Sequence, residues 1–146
     1  MNWVDRRKEL HEIERRQLTS VMNETRWKRL NRALSEALCY APPYQIKYLG
    51  EDTLFPSESL SEYELLWGEW EDIWMESSLQ SIEWIRLRPK VLIYKGAIVE
   101  PDVFDMTDEL ISTLKKERIP FIQDNKTIQI FGYVRDTGIF EPKRGV

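Results

Sequence analysis

Ser81-Ile82-Glu83-Trp84-Ile85-Arg86-Leu87 alternates along its length. In an extended chain Ile82, Trp84 and Arg86 fall on one side and Glu83, Ile85 and Leu87 on the other, because successive strand side chains point to opposite faces. Apolar groups on both sides make this a strand whose two faces are each at least partly covered. Upstream, Tyr44 to Leu49 reads as a second strand, with Tyr44, Ile46 and Tyr48 on one face and Gln45 and Lys47 on the other. Downstream, Val91 to Tyr94 is a short apolar strand and Gly96 turns the chain. Phe121–Gln123 and Thr127–Tyr133 flank Asp124-Asn125-Lys126 as a hairpin, with Ile128, Ile130 and Gly132 sharing a face.

Helical spacing brackets these strands. Trp27, Leu30, Leu34, Ala37 and Leu38 form one face of a helix over 24–39, capped by Asn23 or Thr25 and stopped by Pro42 and Pro43. Met106, Leu110, Ile111 and Leu114 form the buried face of a helix running to Arg118. Asp105 and Thr107 are its cap candidates, and Lys115, Lys116 and Arg118 suit the negative end of its dipole. Residues 5–20 make a highly charged helix whose apolar stripe is thin: Leu10, Ile13, Gln17 and Val21. Such a helix packs weakly, projects as an arm or joins two copies.

The order helix, helix, strands, helix, hairpin does not alternate strictly. It predicts an α+β fold: a mainly antiparallel sheet with helices packed on one face, preceded by an N-terminal helical arm. The arm covers residues 1–22, one domain covers 23–135, and 136–146 form a flexible tail. A chain of 146 residues supports one domain and buries roughly 70% of its unfolded surface without staples.

Charge is unevenly spread. Residues 48–85 hold ten acids and no Lys or Arg, within a net charge of −4 for the whole chain. The acids are Glu51, Asp52, Glu58, Glu62, Glu64, Glu69, Glu71, Asp72, Glu76 and Glu83, and Trp67, Trp70, Trp74 and Trp84 lie among them. A one-sign segment repels itself unless it faces water or an opposite charge. So many tryptophans favour a folded segment over a disordered one. Residues 62–76 fit a strand pair turning at Trp67-Gly68-Glu69-Trp70, or a helix through Leu66, Trp70, Ile73 and Trp74. Tryptophan content favours strand.

The single Cys39 and single His11 exclude a disulfide framework within the chain, cysteine zinc clusters and multi-histidine metal sites. Cys39 sits at the end of an apolar helical face and reads as a small core residue. His11 reads as solvated on a charged helix. The six glycines are scattered and form no phosphate loop. No cofactor is called for, and the expectation is a non-enzyme. No apolar run is long enough to cross a membrane, and the charged N-terminus has no apolar stretch behind it. The expected location is the cytoplasm. Nucleic acid is not expected as a partner, because the acidic block repels phosphate.

Glu62, Glu64, Glu69, Trp70, Glu71, Asp72, Trp74 and Glu76 therefore form the candidate partner-binding surface. Carboxylates steer a basic protein partner into place and aromatic rings anchor it. The same acids and rings, in a concave cleft, would make a carbohydrate-binding or carbohydrate-active domain. A third reading is a regulatory homodimer joined through residues 5–20.

Five short segments carry a family resemblance: Asn23-Glu24-Thr25-Arg26-Trp27-Lys28-Arg29-Leu30, Trp67-Gly68-Glu69-Trp70, Ser81-Ile82-Glu83-Trp84-Ile85, Ile119-Pro120-Phe121 and Ile130-Phe131-Gly132-Tyr133-Val134. In order and spacing the chain resembles a family of small uncharacterised bacterial cytoplasmic proteins associated with polymorphic-toxin immunity loci. The resemblance covers residues 23–135. Two stretches depart from it: Glu71-Asp72-Ile73 follows Trp70 in place of further aromatics, and Arg88 to Asp105 is long. It implies an immunity protein, or antitoxin, that occludes a basic toxin, and it carries no catalytic residues.

Overall fold

The computed structural model describes residues 6–54, 79–124 and 126–140. Four strands form the central antiparallel sheet: β2 (Tyr44–Tyr48), β3 (Ile82–Leu87), β7 (Ile128–Phe131) and β6 (Phe121–Gln123), in the spatial order β2-β3-β7-β6. Strand β3 lies inside the sheet, with Ile46 opposite Ile85 on one side and Ile130 opposite Ile85 on the other. That row is part of the buried core. Directly paired residues share a face, so Tyr44, Ile46, Ile85, Leu87, Ile128 and Ile130 all point the same way.

Two helices cover that face. α2 (Glu24–Ala37) contributes Trp27, Leu30 and Leu34, and α3 (Thr107–Lys116) contributes Leu110 and Leu114. All five side chains are at most 1% exposed. α2 starts where Asn23 Oδ1 accepts from the Arg26 amide at 2.8 Å, which satisfies one amide that the first turn leaves without a helical partner. α3 is entered through Asp105, whose Oδ1 accepts from the Thr107 amide and hydroxyl. Of the two candidates at each start, Asn23 caps α2. At α3 neither Asp105 nor Thr107 holds the N-cap position: that is Met106, which makes no side-chain cap bond, and Asp105 just before it accepts from Thr107. Arg26 then clamps the two helices, donating to Val21 O at 2.7 Å and to Arg118 O at 2.8 Å.

The N-terminal helix α1 runs Arg6–Arg16, shorter than the 5–20 expected. It ends in a left-handed turn at Gln17 (φ 54°), with the Leu18 amide reaching back to Ile13 O at 2.9 Å. α3 ends the same way, with Arg118 at φ 57° and the Ile119 amide on Leu114 O. Both are helix terminations that glycine usually fills. Beyond Gln17 the chain extends into β1 (Thr19–Ser20), which pairs with β8 (Tyr133–Val134). Val21 and Met22 then donate to Gly132 O, so residues 19–22 are stitched to the end of the sheet.

α1 lies against the body instead of projecting from it. Ser81 Oγ donates to Glu9 at 2.5 Å, Arg16 reaches Glu83, and the Lys8 stem lies over Gly50. The thin apolar stripe is not what holds it, since Leu10 is half exposed. Polar contacts to the β2 and β3 ends do that work.

The sheet carries a bulge at this end. Lys47 faces Trp84 but Tyr48 faces Ile82, so Glu83 is the extra residue. Gly132, between β7 and β8, closes the other side of the bulge by donating to Glu83 O at 2.7 Å. A side chain at Gly132 would put its Cβ 2.1 Å from Ile82 O. The position is set by close backbone approach.

A second, two-stranded ribbon leaves the body after Pro89. β4 (Lys90–Ile93) pairs with β5 (Asp102–Asp105) in the register Lys90–Asp105, Val91–Phe104, Leu92–Val103 and Ile93–Asp102. The chain after Val134 forms a short 3-10 turn over Thr137–Phe140, with Phe140 edge-on to Phe131 at 5.7 Å.

Candidate functional site

Glu62, Glu64, Glu69, Trp70, Glu71, Asp72, Trp74 and Glu76 lie outside the described residues, as does the strand or helix reading of 62–76. The acidic block is described at its two ends. Glu51 and Asp52 are exposed, as charges available to a partner must be.

Glu83 is not available. It is buried in the bulge at 6% exposure. Arg16 donates to its two oxygens at 2.7 and 2.9 Å, and Lys47 Nζ donates at 2.9 Å. Burial pushes this carboxyl up, but the Arg16 and Lys47 hydrogen bonds and charges outweigh it and hold the group below the ordinary glutamate value. Arg16 is in turn pushed up by its hydrogen bond to Glu83. Glu83 thus leaves the partner-facing acids and becomes an internal anion holding α1, β2 and β3 together.

Trp84 points to the face opposite the helices. It is half buried, and the Arg86 guanidinium stacks over its ring at 4.7 Å. Gln45 shares that face by register and is only 5% exposed. Cys39, expected in the core, is exposed. α2 stops at Ala37, before the apolar face reaches it.

An open cleft of about 280 Å³ lies between the ribbon base and the β6–β7 turn, lined by Lys90, Asp105, Asp108, Asp124 and Lys126 among others. Two of its acids, Asp105 and Asp124, serve the backbone. The Thr107 hydrogen bonds hold Asp105 low, and the Lys126 and Thr127 amides hold Asp124 low. Asp124 Oδ1 accepts from those two amides at 2.8 and 2.7 Å. Carboxylates ionised in this way cap turns, and neither resembles a general acid kept protonated by burial. Among the described residues no three His, Cys, Asp or Glu side chains gather as a metal site would require, and no helix is long and apolar enough to cross a membrane.

The ribbon is the outstanding surface feature. Tyr94, Ile98, Val99, Val103 and Phe104 are exposed, Ile98 at 98% and Val103 at 62%. Val91, fully buried, roots the ribbon in the body, and Phe104 lies edge-on to Tyr40 at 5.2 Å. Leu92 and Ile93 are half-buried, and Tyr94, Ile98, Val99 and Val103 keep more than half of their surface exposed. A run of exposed aliphatic and aromatic groups on one projecting element is the usual mark of an interaction site. Sequence reading found β4 but not β5. Asp-Val-Phe-Asp gives no alternation to detect, and the only signal was the unusual length of 88–105.

No curated protein and no solved structure matches the chain. The family match begins inside α1 and ends at the 3-10 turn after β8, so it takes in the α1–β3 tie, the ribbon and the whole sheet. Over residues 10–137 the chain belongs to a family of unknown function, DUF6678.

Proposed function

We propose that this chain is a non-enzymatic protein-binding module whose partner is a basic protein. The observation that carries the reading is the projecting ribbon, where Tyr94, Ile98, Val99 and Val103 are each more than half exposed. Isolated two-stranded ribbons gain little stability in water. An apolar one that the fold leaves uncovered is explained by what it contacts. The sequence adds the sign of the partner's charge, since residues 48–85 hold ten acids and no base. Charge then speeds encounter and apolar groups hold the complex.

In its specific form the proposal is an immunity protein. Carboxylates of Glu62, Glu64, Glu69, Glu71, Asp72 and Glu76 mimic phosphates in the groove of a basic toxin, with Trp70 and Trp74 as anchors, and block it by occlusion. The test is the triple variant Glu69→Lys, Glu71→Lys, Asp72→Lys, titrated against the basic protein that co-purifies with the wild type. Binding is expected to be abolished while the circular dichroism spectrum is retained. Unchanged affinity in a folded variant sinks the acidic interface.

A further inference from the structure

We propose that the outer edge of β5 binds an extended partner segment as an added antiparallel strand, selecting bases at both ends of a short apolar run. This rests on the reading of the chain as a binder of basic proteins and specifies how one part of such a partner is held. Among the described residues β5 pairs with β4 alone, and all four of its residues are exposed.

The ladder shows which backbone groups are on offer. The Met106 amide donates to Pro89 O at 2.7 Å. In an antiparallel pair this bond brackets Lys90 and Asp105 as a non-hydrogen-bonded pair, and the pairs then alternate. Val91–Phe104 and Ile93–Asp102 exchange their bonds within the ribbon. Val103 therefore directs its N–H and C=O to the outer edge. Edges of this kind are usually blunted by Lys, Pro or a bulge. Here the centre of the edge is Val103-Phe104 and its ends are Asp102 and Asp105.

The end charges choose the occupant. A second copy of β5 would bring the same two aspartates and no base to meet them, so it offers no charge complement to this edge. The inner edge already shows what a matched strand looks like. On β4, Lys90 faces Asp105, Val91 and Leu92 face Phe104 and Val103, and beyond the strand Lys95 reaches Asp102 at 2.6 Å. A partner segment with the same basic, apolar, basic order fits the outer edge. Backbone bonds supply affinity and the flanking bases supply selection.

The probe is a synthetic peptide with the sequence of Lys90–Lys95, and its control replaces both lysines by glutamate. The full-length protein is expected to bind the lysine peptide, with amide exchange at Val103 slowed, and to bind the glutamate peptide about tenfold more weakly. Val103→Pro removes the outward donor while leaving the β4 ladder intact, so it is expected to fold and to lose at least about tenfold in affinity. Asp102→Lys supplies an independent arm, with preference shifting toward the glutamate peptide. Equal binding by folded Val103→Pro, equal binding of both peptides, or no binding by the wild type overturns the proposal. If the wild type ignores both peptides yet still retains a basic protein at low salt, edge addition fails and the basic-partner reading stands. If the lysine peptide adds to β5 and no basic protein is retained, the edge stands and that reading fails.

Discussion

The Glu83 carboxylate accepts from Arg16 on α1 and from Lys47 on β2 while its own backbone belongs to β3. Removing one member of a buried ion cluster costs more than the cluster contributes, because the remaining charges stay desolvated. Arg16 and Lys47 keep 32% and 22% of their side chains exposed, which tempers the penalty. Glu83→Gln is therefore expected to cost about 2 kcal/mol in chemical denaturation, below the ~3–5 kcal/mol of a fully buried pair. The pH dependence has a definite sign. The folded carboxyl lies below its ordinary value of 4.5. Its stabilisation is complete above that value and is lost as pH falls through the lowered folded value. Wild type and Glu83→Gln should thus differ at pH 7, and the gap should close as pH falls below 4.5 and through the lowered folded value. A gap that does not narrow at all as the acid range is descended would assign the effect to packing. None of this was legible locally, since Arg16 and Glu83 are 67 positions apart. Glu83 sat in an acidic run, where solvation is the default reading. Cys39 shows the opposite error: an apolar neighbourhood in sequence stands for burial only while the helix continues, and α2 ends two residues earlier.

Among the elements, those with strong periodicity were readable. α2, α3, β2, β3 from Trp84 onward and the β6–β7 hairpin follow the 3.6-residue and two-residue repeats of side chains that face one core, while the bulge at Glu83 moves Ile82 from the expected side with Trp84 to the core face with Ile85. Elements held by other means were not. α1 is fixed by Glu9, Arg16 and Lys8 contacts rather than by an apolar stripe. β1 and β8 are two residues each, and all four residues of β5 are exposed. Short pairings carry too little pattern for any window to detect. The β2–β3 bulge, closed by Gly132 between β7 and β8, makes its own prediction. Gly132→Ala would drive a methyl group into Ile82 O, and a backbone carbonyl cannot step aside as a flexible side chain can. The expected cost is at least about 2 kcal/mol, near the upper range for overpacking, read as a lower midpoint in urea with an unchanged slope. A midpoint matching the wild type would mean that the bulge relaxes freely.

At the scale of the whole molecule, the helices and the sheet share one face and bury it, and the ribbon stands off from that core. The α+β class and the layer order followed from the sequence because burial imposes them. The partner surface did not follow as completely, because exposed positions are constrained by what they bind and a single chain does not contain that information. Ten acids without a base between 48 and 85 are the ground for proposing a basic partner, while the ribbon's apolar surface became visible only when β5 was seen paired to β4. Both features enter the proposal: a basic protein would be drawn in by charge and held by apolar and backbone contacts. Charge attraction of this kind weakens with salt, since the screening length falls from about 10 Å at 0.1 M to about 3 Å at 1 M. The direct measurement is affinity capture with the full-length protein from its native cells, run at about 0.1 M and about 1 M salt and read by mass spectrometry. The account predicts one basic protein, retained at low salt and lost at high salt. No basic protein retained at low salt, or retention of the same protein undiminished at high salt, would contradict it.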